Sequence, residues 1–262
     1  MDYQTLQIEI SEGIATVWMN RPDRHNAFDE TLIAELGEAV QRLDDDPMIR
    51  VIVLAGRGKS FSAGADLNWM RRAAGYGVEE NLRDARALAA MLRAIDRVQK
   101  PTVARIHGAA LGGGTGLACV CNIAIASTEA SFATTEVKFG IVPATIGPYV
   151  VRAIGERNAY RYFLTAERFD ANEAQRIGMV HQVCAPDAID ARVHAVASSL
   201  LVGGPKAQAA AKELIRSLTH RTVDDAVIEE TAQCIAQLRA TPEAREGIGA
   251  FLEKRQPNWL EA

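Results

Sequence analysis

Cysteine is scarce in this chain of 262 residues. Cys119, Cys121, Cys184 and Cys234 form neither a disulfide framework nor a ligand spacing. Zinc ligands come as spaced pairs, whereas Cys119 and Cys121 stand two apart in an apolar run and the five histidines are scattered. No metal is expected, and the thiols read as core packing. Long hydrophobic runs are also missing. No stretch reaches the about 18 continuous apolar residues of a spanning helix, and the opening MDYQTLQIEI has neither the charged nor the apolar region of a signal peptide. No membrane association and a cytoplasmic location are therefore expected. A basic block is absent too: Lys+Arg 29 against Asp+Glu 33 leaves a net charge of −4, so no nucleic-acid partner is expected. Two phosphate-binding signatures fail by one residue each. GRGKS at 56–60 ends like a P-loop, but the required first glycine falls on Val53. Gly112 and Gly114 begin like a dinucleotide fingerprint whose third glycine falls on Leu117.

What remains is an ordinary globular composition, 48% apolar and 24% charged, with patterned elements. TLQIEI and IATVWMN flank Ser11-Glu12-Gly13 and predict a hairpin. Asp29 is a candidate N-cap, after which Leu32, Leu36, Val40 and Leu43 recur at helical spacing, predicting an amphipathic helix over 29–44. IRVIVLAG, PTVARIHG and NIAIAS are short β-rich runs without alternation, as strands buried on both faces require. With helical stretches between them, the fold class is α/β. After about residue 185 only helical periodicity continues. This divides the chain into an α/β core, 1–185, and a helical segment, 186–262, whose many apolar faces predict contact with other subunits.

HGAALGGGTGLACVCN, 107–122, carries five glycines in nine positions between an apolar run and a helical stretch. Such a loop suits a thioester. When a thioester is attacked at its β-carbon or loses an α-proton, negative charge collects on its carbonyl oxygen, and rigid backbone N–H groups must already point there. Glycine keeps side chains out of the way, and a helix opening at Gly113 would aim the positive end of its dipole at the oxygen. SFSAGADLNWM, 60–70, is placed to supply a second donor.

SFSAGADL, KPTVARIHGAALGGG, Glu136 followed by GIVPATIG, LTAERF with its trailing ANEAQRIGMV, and FLEKRQPNW occur in one order along residues 5 to 260. Together they resemble the enoyl-CoA hydratase/isomerase, or crotonase, family. The resemblance implies a spiral of ββα repeats followed by a C-terminal α-helical trimerisation segment, and a homotrimer or a hexamer built as a dimer of trimers. It implies that the Ala65 and Gly113 N–H groups bind the enolate and that Glu136 transfers protons. Coenzyme A would be part of the substrate, with no separate cofactor, held by Arg24, Ala27, Ala63, Asp66 and Leu67 and by a neighbour's Phe251 and Lys254. Gly116, Trp69, Met70 and Pro143 would line the acyl pocket.

The chain departs from the family pattern at one position. Hydratases of the family carry two glutamates, and here the first is replaced by Gly116 in GGGTG, leaving Glu136 as the acid-base group. Members with glycine there that also resemble GPYVVRAIGERNAYRYFLTAERF act on 3-methylglutaconyl-CoA or related branched glutaconyl thioesters. A missing glutamate makes room and spares an acidic acyl group from repulsion. The resemblance thus implies a lyase adding or removing water across the α,β double bond of an enoyl-CoA, branched and carboxylated, in leucine or fatty acid metabolism. A Δ3,Δ2-enoyl-CoA isomerase or a decarboxylase on the same site stands as the enzymatic alternative, and a thioester-binding or RNA-binding protein without chemistry as the other. Asp66 and His107 read as loop-shaping residues, Arg152 and Arg168 as surface pairs, and RRAAGYGVEEN, 71–81, as a flap over the acyl chain.

Overall fold

The computed structural model describes residues 2–260. Strands β1 (Leu6–Ser11) and β2 (Ile14–Met19) pair antiparallel in the register Leu6↔Met19 to Ser11↔Ile14. Glu12 and Gly13, both at positive φ, make the two-residue turn, the geometry whose twist matches paired strands. Helix α1 (Glu30–Asp45) starts where Asp29 accepts a hydrogen bond from the Leu32 N–H at 2.9 Å, and it buries Leu32, Ile33, Leu36, Ala39, Val40 and Leu43.

From here the chain repeats one unit. Strand β3 (Val51–Gly56) leads to β4 (Ser60–Ser62) and then α2 (Leu67–Ala73) and α3 (Val78–Arg97). Strand β5 (Thr102–Ile106) leads to β6 (Ala109–Leu111) and α4 (Gly113–Val120). Strand β7 (Ile123–Ser127) leads to β8 (Ser131–Ala133), a single 3-10 turn at Glu136–Phe139, and α5 (Gly147–Thr165). The first strand of each unit joins one sheet and the second joins another. With β9 (Phe169–Asp170), helix α6 (Ala171–Arg176) and β10 (Gln182–Cys184), the result is a six-stranded sheet in the order β1-β2-β3-β5-β7-β10 and a four-stranded sheet in the order β4-β6-β8-β9. This is the spiral of ββα repeats.

Period-two alternation decides what each face of the larger sheet meets. On β3, Ile52 and Leu54 turn into the main core with Leu36, Val40 and Leu92. Val51 and Val53 turn the other way, joining Val103 and Ile125 against Ile189, Val193 and Ala197 of α7 (Ile189–Leu201). Helix α7 therefore closes the second face of the sheet, although it lies beyond residue 185. Only α8 (Pro205–Leu218), α9 (Asp225–Arg239) and α10 (Pro242–Glu253) extend from the core. Arg50, just before β3, holds the start and end of that extension through the Gly203 carbonyl at 2.5 Å and the Trp259 carbonyl at 3.3 Å. No helix among the described residues is long and apolar enough to cross a membrane.

In the smaller sheet β4, β6 and β8 run parallel side by side. Their C-terminal ends therefore release three loops at one edge, the position where open α/β sheets bind ligands. Those loops carry Ala65, Gly113 and Glu136.

Candidate active site

The first loop is held by the segment 21–28. Asn26, fully buried at φ 53°, accepts a hydrogen bond from the Arg21 N–H and donates to the Arg57 and Ser60 carbonyls. Phe28 then bridges Ala65 in parallel: its N–H donates to the Gly64 carbonyl at 2.6 Å and its carbonyl accepts from the Asp66 N–H at 2.8 Å. Because neighbouring peptide groups point to opposite sides, this pairing turns the Ala65 N–H away from Phe28. Asp66 caps α2 through the Asn68 and Trp69 N–H groups and meets Arg21 at 3.3 Å. Burial opposes charge on its carboxyl, but those two N–H groups and Arg21 outweigh it and hold the group below the ordinary aspartate value.

The second loop turns at Gly112, whose φ of +49° and ψ of −116° suit glycine. Its N–H donates to the Ala133 carbonyl at 2.8 Å. Gly113 opens α4, so its N–H is free of intrahelical bonds and lies at the positive end of the helix. Among the described residues neither the Ala65 nor the Gly113 N–H has an acceptor.

The glycines serve the protein's own packing as well as leaving room for a ligand's approach. A Cβ on Gly113 would stand 2.9 Å from the Phe28 ring, and one on Gly114 would stand 2.3 Å from the Ser62 carbonyl. Helix α4 can lie this close to β4 only without side chains.

The third loop presents Glu136 as the first residue of the 3-10 turn. Its Oε1 lies 3.2 Å from where a Cβ on Gly112 would stand, so the carboxyl sits against the glycine loop. Its Oε2 is buried and has no hydrogen-bond partner. Burial raises the Glu136 pKa above the ordinary glutamate value, opposed only by the residue's own backbone N–H. A carboxyl so placed, with one oxygen unpartnered, can take and return a proton.

Ala65, Gly113 and Glu136 line one cavity of 620 Å³ together with Ala63, Leu67, Trp69, Met70 and Pro143. The cavity is mostly apolar, as acyl sites are. Phe139, Ile141 and Val142 leave an exposed apolar rim on it. Helix α3 contributes Asp84, whose carboxylate accepts from the Trp69 indole N–H at 2.8 Å, and the 3-10 turn contributes exposed Lys138. Of residues 71–81, Ala73 at the end of α2 and Asn81 in α3 line the cavity, and the glycine-bearing turn between them does not.

Several expected residues fall elsewhere. Gly116 does not line the cavity. It is buried under Ile146, whose Cγ2 would lie 2.2 Å from a Cβ at 116, so the room left by a missing glutamate is filled. Asp66 is nearly buried, and its carboxylate is committed to α2 and Arg21 rather than to a ligand. Arg24 ends an exposed 3-10 turn and Ala27 is buried behind it. Phe251 is 82% exposed, and Lys254 ends α10 at φ 57°; neither reaches the cavity of its own chain. Phe28, Asp84, Lys138 and Ile146 were not singled out from sequence. Phe28 had a signal in its closeness to Asn26-Ala27, whereas Asp84 and Ile146 enter only through packing.

Volume does not choose the site. A cavity of 720 Å³ lies between α4, α5 and α8. Burial pushes the Cys119 and Cys121 thiols lining it up to about 12, too high for nucleophiles near neutral pH. Burial and Arg216 bring Lys212 there down to about 8. Its cations are spoken for: Lys212 donates to the Lys100 carbonyl, Arg216 to the Asp96 carbonyl, and Arg152 pairs with Asp96 at 2.8 Å. His107 holds the Gly58 carbonyl through Nε2 at 2.9 Å, and burial lowers its pKa, so it shapes its loop. Among the described residues no group of three or more His, Cys, Asp or Glu side chains is arranged to hold a metal ion.

Comparison with known proteins accounts for this arrangement. Residues 9–262 match the family model for enoyl-CoA hydratase/isomerase. A crotonyl-CoA hydratase of Syntrophomonas wolfei is 33% identical over 266 residues, spanning 99% of each chain. The crystal structure of an enoyl-CoA hydratase from Shewanella pealeana superposes with a TM-score of 0.95 at 42% identity, covering 98% of this chain and 96% of that one. A 4-chlorobenzoyl coenzyme A dehalogenase of Arthrobacter is 31% identical over 251 residues, covering 95% of this chain and 91% of its own, so identity near this level spans more than one reaction. The chain belongs to the enoyl-CoA hydratase/isomerase family.

Proposed function

We propose that this protein is an enzyme that adds water to, or removes it from, 2-enoyl-CoA thioesters with Glu136 as its acid-base group. The observation that carries this reading is the meeting of two acceptor-free N–H groups, Ala65 and Gly113, with the unpartnered Oε2 of Glu136 around one apolar cavity. The thioester oxygen accepts both N–H groups, and the α4 dipole adds to them. Glu136 takes a proton from water as the water oxygen bonds to the β-carbon. The double-bond electrons move onto the carbonyl oxygen as an enolate. The enolate then collapses, and the α-carbon receives the proton held by Glu136. Dehydration is the reverse.

The acyl group in this reading is branched and ends in a carboxylate, as in 3-methylglutaconyl-CoA, which would place the reaction in leucine breakdown. Support comes from Lys138, the one cation among the cavity-lining residues described, and from the absence of any glutamate at position 116. Asp84 in the same lining weighs toward an uncharged branched chain. Coenzyme A is substrate rather than cofactor. Its adenine end would lie along Arg24–Ala27 and against a neighbour's Phe251 and Lys254 in a trimer or a dimer of trimers. The exposed Ile228, Ile235, Ile248, Phe251 and Leu252 support such assembly.

A second reading, Δ3,Δ2-isomerisation, is favoured by the same single glutamate, since one carboxyl suffices to move a proton between carbons. Product mass separates the two. Hydration of a 2-enoyl-CoA adds one water, whereas isomerisation of a 3-enoyl-CoA leaves the mass unchanged. Water addition to branched 2-enoyl-CoA that disappears in Glu136→Gln is the expected result. Failure of the wild type to hydrate any 2-enoyl-CoA, acidic or not, overturns the reading.

A further inference from the structure

Position 116 lies on α4 one turn beyond Gly113, fully buried. A Cβ built there would stand 2.2 Å from Cγ2 of Ile146, 2.5 Å from its Cβ and 3.5 Å from its Cα. Real carbon atoms do not approach to the first two distances, so a side chain at 116 and the side chain of Ile146 claim the same space. Ile146 cannot easily yield. It is 2% exposed, it stands at the start of α5, and its carbonyl accepts the Tyr149 and Val150 N–H groups at 3.1 Å each. On its other side the same residue lines the cavity that holds Glu136 and Gly113. Three residues of helix rise put position 116 about 4.5 Å along the axis from Gly113, within reach of the acyl carbons next to a thioester held there.

We infer that Ile146, seated on Gly116, is a specificity-determining residue: it seals the site against a second acidic group and presents a dry apolar wall to the substituent on the acyl β-carbon. This rests on the hydratase reading above and adds to it the residue that selects among acyl chains. A β-branched side chain is stiff, so the wall has one shape. By the same contact, Gly116→Glu alone should fail to install a second acid, because a side chain at 116 meets Cγ2 and Cβ of Ile146.

The test uses the full-length protein and two thioesters, crotonyl-CoA as the straight chain and 3-methylcrotonyl-CoA as the branched one, in wild type, Ile146→Ala, Ile146→Gly, Gly116→Glu and Gly116→Glu/Ile146→Gly. Gly116→Glu alone should lower the Tm or the soluble yield, and the added Ile146→Gly should restore it. The ratio of kcat/KM for branched over straight substrate should change by about tenfold or more in Ile146→Ala, the range that small changes in an apolar pocket produce. In the double variant it should move toward the straight chain. Dissociation constants of the matching 3-hydroxyacyl-CoA products, which need no turnover, should follow the same order. Ratios and product affinities within about twofold of wild type in Ile146→Ala, with wild-type turnover intact, would show Ile146 to be core packing and overturn the inference. A wild type that hydrates neither thioester would instead sink the hydratase reading, and this inference with it.

Discussion

The loops at the C-terminal edge of the small sheet and the three helices at the end of the chain are built on opposite principles. Around Ala65 and Gly113 glycines let backbones touch, and the strands that carry the loops are closed, with all three residues of β4 and all six of β3 buried. In the helical extension α8 buries no residue, α9 only Val227 and α10 only Ala250. Yet Ile215 is 67% exposed, Phe251 82% and Leu252 72%. The first region gathers Ala65, Gly113 and Glu136 of one chain around one cavity. The second has apolar faces that one chain leaves uncovered, and this is the physical case for its meeting a second copy. Proton transfer is suited to the first kind of region, because a reacting group misplaced by an ångström loses much of its rate.

The comparison breaks first at Glu136. Replacing it by glutamine should lower turnover by about 10²- to 10⁴-fold with the Tm and CoA affinity nearly unchanged, measured as water addition to 2-enoyl-CoA. In the wild type its raised pKa should set the acidic limb of kcat/KM. The ionised form accepts the water proton, so the rate should fall about tenfold per unit as pH drops below a midpoint higher than the ordinary glutamate value. A limb at the ordinary value would mean that burial does not act on this carboxyl during turnover.

At Gly113 the donor and the packing must be separated. Alanine and proline both bring a Cβ to within 2.9 Å of the Phe28 ring, but only proline removes the N–H. Gly113→Pro should therefore turn over about 10²-fold more slowly than Gly113→Ala, the cost of one oxyanion donor. Equal rates in two folded variants would remove the N–H from the mechanism.

Deleting 241–262 should leave the α/β core folded, because no residue beyond α7 belongs to either buried cluster of that core. Sedimentation should find the full-length protein as an assembly and the truncated one as a monomer, with CoA binding weakened by about tenfold, or 1.4 kcal/mol. Full affinity in a truncated monomer would confine coenzyme binding to the core. The smallest effect belongs to the cysteines: thiols pushed up to about 12 should resist alkylation near neutral pH, and Cys121→Ala should cost stability through lost packing while leaving the rate unchanged.

The sequence by itself determined the elements whose causes are local. The hairpin turn at Glu12-Gly13, the Asp29 cap with the apolar stripe that follows it, the strands without alternation, and the helical periodicity of the last third all depend on residues within four positions of one another, and each stands where it was expected. Tertiary structure decided the rest. That α7 belongs to the sheet rather than to the helical extension follows from Val51 and Val53 needing cover on their second face. That Phe28 fills the space beside Gly113, that the Asp66 carboxylate meets Arg21, and that Ile146 lies on Gly116 are contacts between residues 30 to 85 positions apart in the chain. A local pattern sets which face of an element is apolar. Which atom fills the gap beneath a glycine is settled only when two distant segments compete for one volume, and close packing admits only one of them.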